Sequence, residues 1–403
     1  MKINKAISMI AVLTLLLTGC GNANNTTDIV STKPAETAAT ETTKPTEKPE
    51  KKESEEKTEE TTVTETEVET EIETEATTLS LAEMIVTPSD EEFETEYDKK
   101  LKINTITEYN GDAVSIRFPT EINGEKIDAI ELNNNRTLRY IEIPKNINIF
   151  SFEKCENLEE AVMPENLTEI PENAFHECKS LSSINIPDSI EIINEQAFAG
   201  CKNLTSFHFP KNLKEIKNQA FGRSGLQELN IPDQEIIVGW GAFSCCNSLE
   251  EIELPYNFNI DRTGSNIFAE CKNLKKATIH GSLSADVEKD TSFNGYPFPG
   301  GHTFEKCESL EEVILISDNN EEFIIGCGDF CNCNSLSIVN ISNCNLTKIG
   351  SDAFSGCECL ESLDLPDTVT IIDYHAFMFC DNLIVTYKEN TYDKSNINEL
   401  WIV

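Results

Sequence analysis

The stretch CKSLSSINIPDSIEIINEQAFAGC, residues 178–201, contains a pattern that recurs along this 403-residue chain. Its most regular part is a phenylalanine followed by a cysteine three residues later. The phenylalanines are Phe152, Phe175, Phe198, Phe221, Phe243, Phe268, Phe304, Phe330, Phe354 and Phe377, and only after Phe221 does serine, Ser224, replace the cysteine. Successive phenylalanines are 23, 23, 23, 22, 25, 36, 26, 24 and 23 residues apart. A period of this length predicts a solenoid whose repeats stack on their neighbours.

Each repeat contains the signals of one coil. Leu181, Ile184 and Ile186 are apolar, while Ser183 and Asn185 between them are polar, which predicts a short strand with one buried face. A proline follows and ends the strand, and two isoleucines then form the return side. An Ala-Phe pair closes the coil and fills its centre. One coil cannot bury these residues alone, so the pattern predicts a β-rich solenoid of about 11 stacked coils.

The full pattern, Leu-x-x-Ile-x-Ile-Pro-x-x-Ile-x-x-Ile-x-x-x-Ala-Phe-x-x-Cys, resembles the BspA-like, or treponemal-type, leucine-rich repeat. It returns with few departures at 155–178, 178–201, 201–224 and 357–380. The resemblance implies a curved, right-handed solenoid on a bacterial surface, often used in adhesion or host-protein binding. It implies no catalytic residues and no cofactor. We expect a repeat domain over 99–386 and a C-terminal cap over 387–403.

The first 20 residues resemble a lipoprotein signal. Lys2 and Lys5 precede an apolar run that is too short to span a bilayer, and Leu-Thr-Gly-Cys follows with the cysteine at position 20. The resemblance to a lipobox implies cleavage after residue 19 and lipid attachment to Cys20. The alternative is an ordinary signal peptide with a cysteine at that position by chance. We expect a protein at the extracellular face of the bacterial membrane, attached to it through the lipid alone.

Residues 20–98 have the composition of a tether. Aromatic residues are absent from 21–92, and 21–100 contains 23 acidic and 8 basic residues, so a packed core is not expected and charge repulsion favours extension. Alternation of glutamate with threonine or aliphatic residues over 63–72 would also fit a strand, although a strand without partners is marginal. The formal charge of −39 for the whole chain argues against a nucleic-acid partner.

The chain contains 15 cysteines, nine of them in the repeated slot after phenylalanine, where we expect small, buried, free thiols. Five others lie outside this slot and outside the lipobox, namely Cys245, Cys327, Cys331, Cys344 and Cys359. For these a local disulfide stays open, while the spacing matches no standard zinc pattern and predicts no metal. The five histidines lie in different coils and form no catalytic motif, so we expect no enzyme.

Binding residues are expected where the repeat leaves side chains free. On the outward strand positions these are Asn185, His208, Asn230 and Glu253, in a column that leans acidic and would suit a basic protein. The 36-residue step contains an excursion, 281–303, with the aromatic residues Phe293, Tyr296 and Phe298. These aromatics either bind a ligand or fold back over the core. The main hypothesis is a protein-binding surface for adhesion or cell contact, and the alternative is a carbohydrate-binding accessory of a surface polysaccharide system.

Overall fold

The computed structural model describes residues 79–260, 265–282, 301–317 and 321–400, which form a β-solenoid of about 11 coils. Its strands are β1 Phe93–Asp98, β2 Ile103–Tyr109, β3 Ser115–Arg117, β4 Glu121–Ile122, β5 Glu125–Lys126, β6 Ala129–Glu131, β7 Tyr140–Glu142, β8 Ile149–Ser151, β9 Glu160–Val162, β10 Glu169–Ile170, β11 Ser183–Asn185, β12 Ile192–Ile193, β13 Glu215–Ile216, β14 Ile236–Val238, β15 Glu251–Leu254, β16 Phe258–Ile260, β17 Lys276–His280, β18 Glu312–Ile316, β19 Phe323–Ile325, β20 Ile338–Asn343, β21 Leu346–Ile349, β22 Ser362–Asp364, β23 Ile371–Ile372, β24 Ile384–Tyr387 and β25 Asn390–Tyr392. Within the described ranges the helices are short 3-10 turns at Leu81–Met84, Asp90–Glu92 and Ile397–Leu400.

The strands line up in two files, because the two apolar segments of each repeat fall on different sides of the coil. The front wall consists of the sheets β3-β7-β9-β11, β15-β17-β18-β20 and β22-β24-β25. The back wall consists of β1-β2-β6-β8, β10-β12-β13-β14-β16 and β19-β21-β23. Neighbouring coils pair in parallel, whereas β1–β2, β4–β5 and β24–β25 pair antiparallel. The predicted strand of the 178–201 repeat is β11.

The third side of each coil contains the Phe-x-x-Cys segment, and its phenylalanines form one continuous column. All nine neighbouring pairs from Phe152 to Phe377 are stacked, with ring centroids 5.3 to 5.9 Å apart. Phe268 and Phe304 stack at 5.4 Å although 36 residues separate them. The phenylalanine column therefore continues across the long step without a gap.

The cysteines lie beside this column and are tied to it. Each thiol donates a hydrogen bond to a backbone carbonyl of the preceding coil, as from Cys178 to Phe152 at 3.0 Å and from Cys201 to Phe175 at 3.1 Å. At the one exception, the hydroxyl of Ser224 lies 3.3 Å from Cys246 Sγ. The nine cysteines of the repeated slot are buried free thiols, and Cys327, Cys331, Cys344 and Cys359 also form no disulfide with any described residue. Size and a weak hydrogen bond thus explain the slot without any bridge.

The folded array begins before residue 99, where the composition suggested that the tether ended. Strand β1 pairs with β2, and Phe93 is buried against Tyr109 and Phe118 with ring centroids 5.3 and 6.2 Å apart. Phe118 in turn lies 5.8 Å from Phe152, so these rings continue the phenylalanine column to its N-terminal end. The reason is that the first coil needs a cover, which 79–98 supplies. At the other end, β25 and a buried Leu400 cover the last coil.

Candidate functional site

In the front-wall strands β9, β15, β17 and β22 the outward side chains are exposed or half-buried, while the side chains between them are buried. In β15, for example, Glu251 and Glu253 are exposed and Ile252 and Leu254 are buried. This alternation places the predicted positions Asn185, His208, Asn230 and Glu253 on the surface, with Asn185 half-buried. These side chains can therefore contact a partner or form hydrogen bonds within the solenoid, and the contacts around each residue show which of the two applies.

The front wall is interrupted between β11 and β15. The two coils in between, at 205–209 and 227–231, contribute no strand to it. The interruption coincides with two additional core aromatics, since Phe207 and Phe209 occupy the positions of Ile184 and Ile186 in the preceding repeat. Phe207 packs edge-on against Phe198 and Phe221, with ring centroids 5.1 and 4.8 Å apart. The core is thus filled by rings at the point where the strand ladder stops.

The second of these coils is also the shortest, at 22 residues, because Gly225 replaces two residues of the usual turn. Its nitrogen donates to the Cys201 carbonyl at 3.0 Å. A β-carbon built on Gly225 would overlap the backbone carbonyl of Lys202. Glycine is required here by the close approach of two turns, and the shortened coil directly precedes Glu228 and Asn230.

A surface groove of about 350 Å³, here called the front groove, lies where the interrupted wall meets β15. It is lined by Glu228, Leu229, Asn230, Glu251, Ile252, Glu253, Lys276 and Thr278. Leu229 and Ile252 are buried, so they give the groove an apolar floor, whereas the carboxylates are exposed at its edges. The arrangement joins a small hydrophobic surface to a polar rim, as in protein-binding sites.

The front groove has a negative charge. Three carboxylates, Glu228, Glu251 and Glu253, face one ammonium group, that of Lys276. Lys276 Nζ lies 2.7 Å from Glu312 Oε2, and this hydrogen bond raises the pKa of Lys276. Its charge is therefore largely matched by a carboxylate outside the groove. On the other side, His280 Nε2 lies 3.1 Å from Glu253 Oε1. The excess of carboxylates remains and favours a cationic ligand.

The structure brings together two of the four predicted strand residues, Asn230 and Glu253, which both line the front groove. His208 lies elsewhere, with Nε2 3.6 Å from Asp188 Oδ1. Asn185 is used by the fold, because its amide bonds both the N–H and the carbonyl of Met163, at 2.6 and 3.2 Å. The groove residues Glu228 and Glu251 lie in the outward column beside the predicted one, and their grouping follows only from the interrupted wall.

The remaining predicted residues cannot be placed. Phe293, Tyr296, Phe298 and Cys20 lie outside the described residues, so the roles expected of them stay predictions. For the described parts of the chain, no group of three or more His, Cys, Asp or Glu side chains is arranged to hold a metal ion. In the same residues no helix has the length and apolar character needed to cross a bilayer.

The chain belongs to the BspA-type leucine-rich repeat family. The model of the BspA type leucine-rich repeat region matches residues 108–192, 168–294 and 300–398, with six copies. A comparison with curated proteins gives no match.

Among solved structures, the chain is similar to a leucine-rich cell surface protein from Faecalibacterium prausnitzii A2-165, with 24% identity over 74% of this chain and 87% of that one and a TM-score of 0.45. A leucine-rich repeat protein from Bacteroides ovatus matches with 24% identity over 75% of this chain and 88% of that one, at a TM-score of 0.34. The pneumococcal vaccine antigen PcpA matches with 19% identity over 74% and 80%, at 0.29. At these identities the likeness concerns the fold alone.

Proposed function

We propose that this chain is a non-catalytic bacterial surface lipoprotein whose solenoid binds a protein partner, in adhesion or cell contact, through the front groove. The observation that carries the proposal is the groove itself, an apolar floor with an excess of carboxylates at the interruption of the front wall. Membership of the BspA-type family supports a surface location and a binding role.

The chemistry of the groove selects a partner segment that contains arginine or lysine beside an apolar residue. Guanidinium groups bind carboxylates in a bidentate manner, and Glu251 and Glu253 present two carboxylates on one strand. The apolar residue of the partner would cover Leu229 and Ile252. Complementary charge of this kind controls specificity and association rate, so binding should weaken as salt rises.

Neutralising the groove should weaken the binding of a basic partner. We expect the triple variant Glu228→Gln, Glu251→Gln and Glu253→Gln to bind an Arg/Leu-containing cationic peptide about tenfold more weakly than the unaltered chain at low salt. The reason is that all three changes remove carboxylates from one groove. Fluorescence anisotropy with the labelled peptide measures the dissociation constant, and an acidic peptide of equal length serves as the reference probe.

A control variant with the same change in charge separates the groove from the general acidity of the chain. Glu121, Glu125 and Glu169 are exposed and lie outside the groove, so their replacement by Gln should leave the dissociation constant within about twofold. Equal weakening by both triple variants would show diffuse attraction to an acidic protein and would contradict a specific site.

The lipid anchor is tested through Cys20. We expect the wild-type chain, produced in a bacterial host with lipoprotein processing, to partition with the membrane, whereas Cys20→Ser should appear in the soluble fraction. Acyl chains on the N-terminal cysteine should be visible by mass spectrometry of the mature protein. Equal membrane association of both chains would contradict lipidation at this residue.

The carbohydrate alternative depends on Phe293, Tyr296 and Phe298 and stays a prediction, which glycan-array binding of the full chain would check.

A further inference from the structure

The two coils that form the front groove are joined on two sides of the solenoid but not on the third. On the back wall they are joined by the parallel pair β14–β16. On the Phe-Cys side, the Phe243 N–H donates to the Ile267 carbonyl at 2.9 Å. On the front wall, no backbone hydrogen bond joins 228–231 to β15 in the part of the chain that the structure describes. The groove therefore follows a line along which two backbone segments face each other without a ladder.

Strand β15 has an open edge toward the groove. In other front-wall pairs, the first outward residue of a strand donates its N–H to the preceding coil. Glu160, Lys276 and Glu312 donate in this way to the carbonyls of Arg139, Glu250 and Lys275, at 3.0, 3.3 and 3.1 Å. Glu251 occupies the equivalent position of β15, yet its N–H donates to no carbonyl of 227–231 within the described ranges. An exposed strand edge can pair with the backbone of another chain.

The side chains of β15 indicate what kind of strand would fit this edge. Glu251 and Glu253 are exposed, whereas Ile252 between them is buried. A strand that pairs with β15 places its successive side chains alternately on the same two faces. Side chains on its outer face would lie beside the two carboxylates, and those on its inner face would lie over Ile252 and Leu229. A segment in which cationic and apolar residues alternate therefore matches both faces.

The charge of the groove favours a foreign cationic segment over a second copy of this chain. Pairing of β15 with the same strand of another copy would place Glu251 and Glu253 opposite carboxylates, and like charges directly opposite each other destabilise a strand pair. Lys276, the ammonium group of the groove, is already hydrogen bonded to Glu312 at 2.7 Å. Cross-strand pairs of opposite charge are stabilising, so arginine or lysine is preferred opposite these glutamates.

We propose that the partner binds as an added strand, in which an extended segment of alternating cationic and apolar residues pairs its backbone with the open edge of β15. The added strand rests on the proposed function, the binding of a cationic partner in the front groove, and specifies how that partner is recognised. Main-chain hydrogen bonds hold the segment, while its cationic side chains pair with Glu251 and Glu253 and its apolar side chains cover Leu229 and Ile252.

Methylation of peptide nitrogens tests backbone pairing while every side chain stays in place. The probe is a peptide of alternating arginine and leucine in three forms, namely unmodified, N-methylated at the arginines and N-methylated at the leucines. Successive N–H groups of an extended chain point to opposite edges, so only one of the two methylated sets faces β15. By fluorescence anisotropy with the full chain, we expect one methylated form to bind about tenfold more weakly than the unmodified peptide, because it loses several hydrogen bonds. The other form should stay within about twofold.

The comparison of the two methylated forms separates backbone pairing from the attraction of charges. Equal affinities of these two forms would overturn the added strand. If both then bind as tightly as the unmodified peptide, the carboxylates and the apolar floor alone account for binding, and the proposed function stands. No binding of the unmodified peptide would contradict the proposed function, and the added strand with it.

Hydrogen exchange at single amides tests the open edge without any peptide. The amide of Glu251 should exchange about tenfold faster than that of Glu160, the same residue type at the equivalent position of β9, whose N–H is hydrogen bonded at 3.0 Å. Addition of the unmodified peptide should slow exchange at Glu251 and leave that at Glu160 unchanged. Equally slow exchange at both amides in the free chain would show that the edge of β15 is already paired and would overturn the proposal.

Discussion

Phe243→Ala is expected to lower the free energy of unfolding by about 3–5 kcal/mol. The Phe243 ring is fully buried and stacks on Phe221 and Phe268, at 5.4 Å in both cases. Truncation removes the ring contacts on both sides and leaves a cavity in the middle of the column, which neighbouring coils held by backbone ladders cannot close. Chemical denaturation followed by circular dichroism measures the change.

The matched control is another phenylalanine on the same side of the solenoid. Phe379 is 65% exposed, so Phe379→Ala should change the free energy of unfolding by no more than about 0.5 kcal/mol. Similar losses in the two variants would contradict the assignment of Phe243 to a continuous stacked column.

The destabilisation caused by Phe243→Ala should be largest in the coils next to the substitution. Because each coil contacts only its neighbours, hydrogen exchange should accelerate first in the coils of Phe221, Phe243 and Phe268. Two amide groups can be followed in this experiment because each is hydrogen bonded to the next coil. The Phe221 N–H donates to the Ala242 carbonyl at 2.8 Å, and the Phe243 N–H donates to the Ile267 carbonyl at 2.9 Å. Uniform acceleration along the array would show that the coils unfold as one cooperative unit.

The solenoid could be predicted from the sequence because its determinants are periodic. Every coil repeats the apolar positions, the Ala-Phe pair and the small residue after it, so one coil predicts the next. The sequence predicts too late a start for the array because β1 is an edge strand with the sequence FETEYD, in which Phe93 alone is buried. The composition of β1 resembles that of the acidic segment before it. Only the contact of Phe93 with Tyr109 and Phe118 distinguishes β1 from that segment.

The candidate site could be predicted only in part, because it depends on what interrupts the repeat. Alternation places Asn230 and Glu253 on the surface, but it does not show that the front wall stops between β11 and β15. Nor does it show that Asn185 is consumed by hydrogen bonds to Met163.

Thr303→Ala is expected to destabilise the chain by about 2 kcal/mol at pH 7, and less in acid. The substitution restores the alanine found in most coils, yet it removes the hydroxyl that donates to Asp329 Oδ1 at 2.8 Å. Asp329→Ala should cost a similar amount, because the Thr303 hydroxyl and the Gly326 N–H then lose a buried acceptor. Denaturation at several pH values measures both variants and their combination.

The double variant separates a bonded pair from two independent packing defects. With both side chains removed, no carboxylate is left without its donor and no hydroxyl without its acceptor, so the combined loss should fall short of the sum by about 1–2 kcal/mol. Ser351→Ala serves as the control, because that buried hydroxyl donates to Asp352 instead. Strict additivity of Thr303→Ala and Asp329→Ala would contradict their coupling.

The pH dependence follows from the buried carboxyl group. Burial raises the pKa of Asp329, so the folded chain keeps this proton to a higher pH than the unfolded chain, in which the pKa is about 4. Stability associated with Asp329 is therefore complete below the unfolded-state pKa and is lost as pH rises through the higher folded-state pKa. Thr303→Ala removes a hydrogen-bond donor to the Asp329 carboxylate, so the loss of stability with rising pH should become steeper. A variant that contains Asp329→Ala has no carboxyl group at this position and should not show this pH dependence. A penalty for Thr303→Ala that stays constant from pH 4 to pH 7 would show that the hydroxyl does not stabilise the Asp329 carboxylate.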